Sequence, residues 1–199
     1  MYAFNHADEE KKTGRMSLFQ LITSDYKKHQ KYGGHFFSIV FLTQGFWAIF
    51  QYRIANFIYK NVRLIGIRQF LLFVCLLWQK IIEMITGISI PASVKIGHSF
   101  YIGHFGGIII NANVEIGNDC NISQGVTIGV SGSNENRGVP KIGNNVYLGA
   151  NSVMVGKIYI GDDALVGACS LIIKDVDSSC VMSGVPAVKI SSKGSKGYI

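Results

Sequence analysis

IGHSFYIGHFGGIIINANVEIGNDCNISQGVTIG, residues 96–129, decides the fold. Isoleucine returns at every sixth position, at Ile96 and Ile102 and then, after a slip of two, at Ile110, Ile116, Ile122 and Ile128. Glycine often follows it, and a small or aliphatic residue often stands four places on. The rhythm starts at Ile90 and resumes after an interruption as Ile142-Gly-Asn-Asn-Val, Leu148-Gly-Ala-Asn-Ser, Met154, Ile160-Gly-Asp-Asp-Ala and Val166-Gly-Ala-Cys-Ser. This is the hexapeptide signature of a parallel β-helix. Each hexad makes one short strand and a turn, three hexads complete a coil, and the aliphatic side chains stack in columns inside a triangular prism.

Regular coils are scaffold, so the departures from period six carry the information. The first comes directly after His104, where Phe105-Gly106-Gly107 adds two residues; such a bulge can push the imidazole off the prism wall. His98 occupies the same hexad position one repeat earlier, has no bulge after it, and reads as structural. The second departure is VSGSNENRGVPK, residues 130–141, a polar loop able to project over a site on this or a neighbouring subunit.

Before the repeats the periodicity is helical. Apolar residues recur at Leu18, Phe19, Leu21 and Ile22, at Phe46, Ile49, Phe50, Ile54, Phe57 and Ile58, and at Leu71, Leu72, Cys75, Trp78, Ile82 and Ile85. The pattern predicts three or four helices with breaks near Gly33-Gly34 and Gly66. Their aromatic stripes suit helix packing or oligomer contact. Arg53, Lys60, Arg63 and Arg68, interleaved with them, would also suit peripheral association with a membrane. The longest unbroken apolar run, FLLFVCLLW at 70–78, is short of the roughly 20 residues that span a bilayer, so no transmembrane helix is expected. The polar opening MYAFNHADEEKKTGR has no signal-peptide character.

A chain of 199 residues with 48% hydrophobic content can bury a sizeable core. Its net charge of +7 favours anionic partners such as a phosphorylated cofactor, while the scatter of Lys and Arg gives no reason to expect nucleic acid. Four dispersed cysteines, with no histidine at zinc-ligand spacing, indicate a reduced, cytoplasmic chain without a metal.

The stretch at 96–129, with VPKIGNNVYLGANSVMVGKIYIGDDALVGACSLIIKDV at 139–176 and GVPA at 184–187, resembles the hexapeptide-repeat acyltransferases, specifically the serine acetyltransferase-like branch that includes polysaccharide O-acetyltransferases. The resemblance implies a left-handed β-helix over residues 89–190; the helical periodicity assigns 16–88 to an α-helical region, the polar opening predicts a disordered segment 1–15, and 191–199 reads as a flexible tail. The resemblance also implies a homotrimer or a dimer of trimers. His104 takes the place of the general base that deprotonates an acceptor hydroxyl as it attacks acetyl-CoA, with Gln124 as an orienting partner or acceptor contact. Gly149, Ala150, Gly167 and Ala168 match the turns that hold the pantetheine arm of coenzyme A, and Lys174 and Lys189 match basic positions near its phosphates.

The acceptor side departs from the resemblance. Serine acetyltransferases carry a carboxylate just before the histidine, another some fifteen residues upstream, and a further histidine before the Pro-Lys-Ile of the loop. Here those places hold Gly103, Ser89 and Val139. Relatives with a bare glycine before the histidine and VPKIG after the loop are typically polysaccharide O-acetyltransferases, so the resemblance implies a saccharide hydroxyl in surface-polysaccharide assembly as the acceptor, with the chain cytoplasmic or peripheral at the inner face of the membrane. The alternatives are serine O-acetylation in cysteine biosynthesis, with Ile199 docking into a cysteine synthase, and a non-catalytic scaffold.

Overall fold

The structure, a computed structural model, describes residues 16–199. The disorder expected for 1–15 lies outside the described residues.

Among the described residues three α-helices come first: α1 (Leu18–Lys31), α2 (Gln44–Asn61) and α3 (Ile65–Thr86), with a π-helical turn at Ser38–Leu42. Ser17 starts α1 with a capping box, its hydroxyl accepting from the Gln20 amide while the Gln20 side chain accepts from the Ser17 amide. Gly87 ends α3 in the left-handed conformation, φ +67°, and its amide donates to Glu83. The break expected at Gly66 falls instead at residues 62–64. Gly66 lies in the first turn of α3, where a helix tolerates glycine because the N–H groups there have no partner within the helix in any case. The short apolar run at 70–78 also proves to be part of a longer element. All 22 residues of α3 form one helix long and apolar enough to cross a membrane, with only 11% of its most apolar window buried.

Fifteen strands, β1 to β15 in chain order, then wind into a left-handed parallel β-helix with three faces. One face stacks β1 (Ile88–Ser89), β4 (Ile108–Ile110), β7 (Thr127–Gly129), β10 (Val153–Val155) and β13 (Leu171–Ile172). The second stacks β2 (Lys95–Ile96), β5 (Glu115–Ile116), β8 (Lys141–Ile142) and β11 (Tyr159–Ile160). The third stacks β3 (Tyr101–Ile102), β6 (Asn121–Ile122), β9 (Tyr147–Leu148), β12 (Leu165–Val166) and β14 (Val181–Gly184), and ends in the antiparallel β15 (Ala187–Ser191). Register pairs every inward residue with its counterpart one coil on, as in Ile102 to Ile122 and Ile122 to Leu148. These residues are fully buried, and each aliphatic side chain so removed from water contributes roughly 1.5–3 kcal/mol.

The helices close the open end of the prism through a buried ionic contact. Asp25 of α1 accepts two hydrogen bonds from Arg53 of α2, at 2.8 and 3.0 Å, and a third from the Phe100 amide. Arg53 also donates to the carbonyls of Ile96 and Gly97. Burial opposes its charge, yet the adjacent Asp25 carboxylate leaves the guanidinium pKa raised. At the other end the chain folds back, and the tail read as flexible packs on the prism. Ser195 is buried, its amide donating to the Asp163 carbonyl and its hydroxyl to that of Asn145.

Candidate active site

The two residues added after His104 do what the broken rhythm suggested. Gly106 and Gly107 adopt φ of +104° and +65°, values a side chain would strain. The Gly106 amide donates to the Thr86 carbonyl at the end of α3. The detour leaves His104 on the outside of the prism, exposed, and no side chain among the described residues hydrogen-bonds its ring.

His104 is in the wall between two cavities. The first, about 330 Å³, is lined by Tyr32, Tyr101, Asn121, Ser123, Tyr147 and Tyr198 among others, including Gly103. The second, about 410 Å³, is lined by Gln124, Gly149, Ala150, Gly167 and Ala168, with Leu165. His104, Ser123, Tyr147 and Tyr198 belong to both.

Among the described residues no carboxylate, lysine or arginine lines the first cavity; His104, four tyrosines, a serine and an amide do. Tyr32 and Tyr101 stack with ring centroids 4.3 Å apart. Burial, then the neighbouring Tyr32 and Tyr147, pushes Tyr101 above the usual phenol range, so it remains neutral at pH 7. Asn121 donates to the Tyr32 hydroxyl at 2.6 Å and to the Tyr198 carbonyl at 3.2 Å, while its own side-chain oxygen is buried without a partner. Ser123 donates to the Tyr147 hydroxyl at 3.2 Å.

The second cavity has a wall of small side chains on two successive coils. The amides of Gly149 and Gly167 are bonded to the next coil, at Val166 and Met182. Those of Ala150 and Ala168 make no backbone hydrogen bond among the described residues, so they can bind the amide carbonyls of a pantetheine arm. The residues present thus fit coenzyme A at this wall.

Of the residues singled out in the sequence, His104, Gln124, Gly149, Ala150, Gly167 and Ala168 come together. Gln124 shares the cavity with His104 without bonding to it. Lys174 and Lys189 are exposed and line neither cavity; the loop at 130–141 is exposed over 130–137, rejoins the prism at Val139 and Pro140, and reaches neither cavity. His98 bonds Ser99 at 3.0 Å and lies 3.8 Å from Asp119, outside both cavities. Sequence reasoning missed Tyr101, Asn121 and Tyr147, although a signal existed. Each is the residue before an inward aliphatic, and β3, β6 and β9 align them on one outer face. Tyr32 and Tyr198 come from the end of α1 and the chain's last turn, which no repeat places.

Residues 140–174 match the family model described as bacterial transferase hexapeptide (six repeats). The chain is 32% identical over 150 residues to a serine acetyltransferase of Synechococcus elongatus, covering 75% of this chain and 58% of that one. It is 32% identical over 153 residues to a serine acetyltransferase of Helicobacter pylori, covering 77% of this chain and 85% of that one. A solved serine acetyltransferase in complex with CoA superposes with a TM-score of 0.73 at 26% identity, over 92% of this chain and 73% of the other.

Proposed function

This chain belongs to the hexapeptide-repeat acyltransferases, in their serine acetyltransferase branch, and on that premise we propose that it transfers an acetyl group from acetyl-CoA to an acceptor hydroxyl, with His104 as general base. The observation that carries the reading is the placement of one imidazole in the shared wall of two cavities. A thioester lying along Gly149, Ala150, Gly167 and Ala168 would present its carbonyl carbon on one side of His104. A hydroxyl in the tyrosine-lined cavity would approach from the other.

His104 takes the hydroxyl proton as the oxygen attacks, the C–S bond breaks, and the imidazolium returns the proton to the departing thiolate. The products are an acetate ester and free coenzyme A. Base assistance of this kind typically accelerates transfer about 10²- to 10⁴-fold.

Two acceptors divide the support. The names of the relatives favour L-serine over the saccharide that the sequence suggested. The lining of the first cavity favours an uncharged polyhydroxyl acceptor, because it offers aromatic faces and amide and hydroxyl groups but no carboxylate for an ammonium group. The test is thiol release from acetyl-CoA with serine and with a panel of sugars, the products identified by mass. No release with any hydroxyl compound would refute acetyl transfer; ester formation on serine alone would end the saccharide reading.

Assembly as a homotrimer or a dimer of trimers belongs to the same proposal, supported by exposed apolar residues such as Ile109 on β4, Ile173 just after β13 and Ile190 on β15. Docking of Ile199 into a second enzyme would require the tail to leave Asn121 and Tyr32.

A further inference from the structure

The helical end carries apolar surface on its outside. Along α3, Ile65, Phe70, Phe73, Leu77, Met84 and Ile85 are each at least half exposed, while Cys75, Ile82 and Thr86 are its only fully buried residues. Phe37 and Leu42 extend the surface before α2, at 74% and 71% exposure. Soluble chains rarely leave so much contiguous apolar area open to water.

Charge indicates what covers it. Of the chain's 19 Lys and Arg, eight lie between Tyr26 and Ile82, and none of its 12 Asp and Glu does; the remainder holds eleven basic and twelve acidic residues. With Asp25 and Glu83 counted, the helical region 16–86 carries +6 of the net charge of +7. Arg63 is exposed and Arg68 half-buried over the Tyr59 ring, both next to exposed Leu64, Ile65 and Ile67. A second copy laid against this surface would oppose mostly like charge with like charge, since Glu83, already paired with Lys80, is the one carboxylate on α3.

We propose that the outer face of α3, with the turn at 37–42, lies on an anionic lipid bilayer, the apolar side chains in the acyl boundary and Arg63 and Arg68 at the phosphates. At 22 residues α3 is about 33 Å long. An in-plane orientation is required, because α3 packs on α2 through Ile82 and through the Cys75 carbonyl, which accepts from Gln51, and passes at Gly87 directly into the first coil. A spanning pose would also take Lys80 and Glu83, paired on its last turns, into the membrane. An apolar face with a few basic residues at its edge is the composition that binds interfaces reversibly.

The experiment is flotation of the purified full chain with vesicles of phosphatidylcholine alone and of phosphatidylcholine containing phosphatidylglycerol. The expected result is binding to the anionic vesicles at least tenfold above the neutral ones, weakened but not abolished at about 0.5 M salt. Phe73→Ser with Leu77→Ser should remove binding while leaving thiol release from acetyl-CoA intact. Arg63→Glu with Arg68→Glu should remove the preference for anionic lipid. Failure to float with either vesicle would overturn the proposal. So would a fall in molecular mass of the Phe73/Leu77 variant on ultracentrifugation without loss of lipid binding, which would assign the face to a second copy. His104→Ala should float like the parent, so failure of the catalytic reading leaves this test unaffected.

Discussion

The corners at His98 and His104 begin with the same three residues, Ile-Gly-His, six positions apart on one coil, and they end in different places. At His98 the rhythm continues and the helices pack down on it. Arg53 donates to Ile96 and Gly97, Ser24 accepts from the Ser99 amide, and Asp25 accepts from Phe100. At His104 the rhythm breaks, the chain detours over the end of α3, and the imidazole is left between two cavities. The glycines differ as well. A Cβ on Gly97 would lie 2.7 Å from the Gly117 carbonyl carbon of the next coil, whereas one on Gly103 would meet only the end of the Tyr101 side chain, at 2.8 Å from its hydroxyl. One corner is held by backbone and buried charge; the other is free to carry chemistry. A repeat thus becomes a site where its neighbours stop packing on it.

The sharpest way to break this contrast is His104→Ala, which should lower acetyl transfer by about 10²- to 10⁴-fold with coenzyme A binding nearly unchanged, read by thiol release and by calorimetry. Near-normal turnover would make the two histidines equivalent after all.

Arg53→Met tests the other corner. It leaves the Asp25 carboxylate buried without its partner, and the midpoint of urea unfolding should report a loss of about 3–5 kcal/mol. Adding Asp25→Leu should restore much of it, which a simple packing role for Arg53 would not predict.

Gly103→Asp puts a carboxylate next to His104 at the cost of displacing Tyr101. If charge in the first cavity sets acceptor choice, the ratio of kcat/KM for serine over an uncharged acceptor should rise by roughly tenfold, the worth of one charge-assisted hydrogen bond. Gly97→Asp should instead fail to fold, because its Cβ strikes backbone.

A smaller effect concerns pH. His29 of α1 is buried against Phe46 and Tyr101, one ring nitrogen donating to the Asp25 carbonyl at 2.8 Å, and burial holds its pKa below the usual imidazole value. The unfolded chain therefore binds this proton more readily than the folded one. The stability this gives is complete above about pH 6.5 and declines as pH falls below that toward the folded pKa. Urea midpoints from pH 7.5 to 5.5 should slope accordingly, and His29→Phe should flatten the slope.

The least change is expected of His98→Ala, within about twofold of parent activity. A large loss there would mean that the break after His104 is not what separates the two.

His104 was legible because a period of six makes any added residue conspicuous, and the small-residue wall at 149–150 and 167–168 because it repeats at the same hexad position on successive coils. Tyr32 and Tyr198 were not legible. They stand 89 and 77 positions from Asn121 in the chain and meet it only because α1 and the tail converge on the same face. Lys174 and Lys189, which match by sequence position the basic residues near the phosphates of coenzyme A, line neither cavity of the single chain.

The sequence by itself determined the coil, its inward columns, the helical region before it and the histidine at its first break. Each of these is a local periodicity, and side-chain direction follows directly from the period of the backbone. Only the tertiary structure decided that a tyrosine-lined cavity lies on one side of His104, that the tail helps to build it, and that the apolar side of α3 faces outward. Those outcomes depend on which distant segments pack together, and packing is fixed by the summed burial and pairing of all of them at once, a quantity no window of the sequence contains.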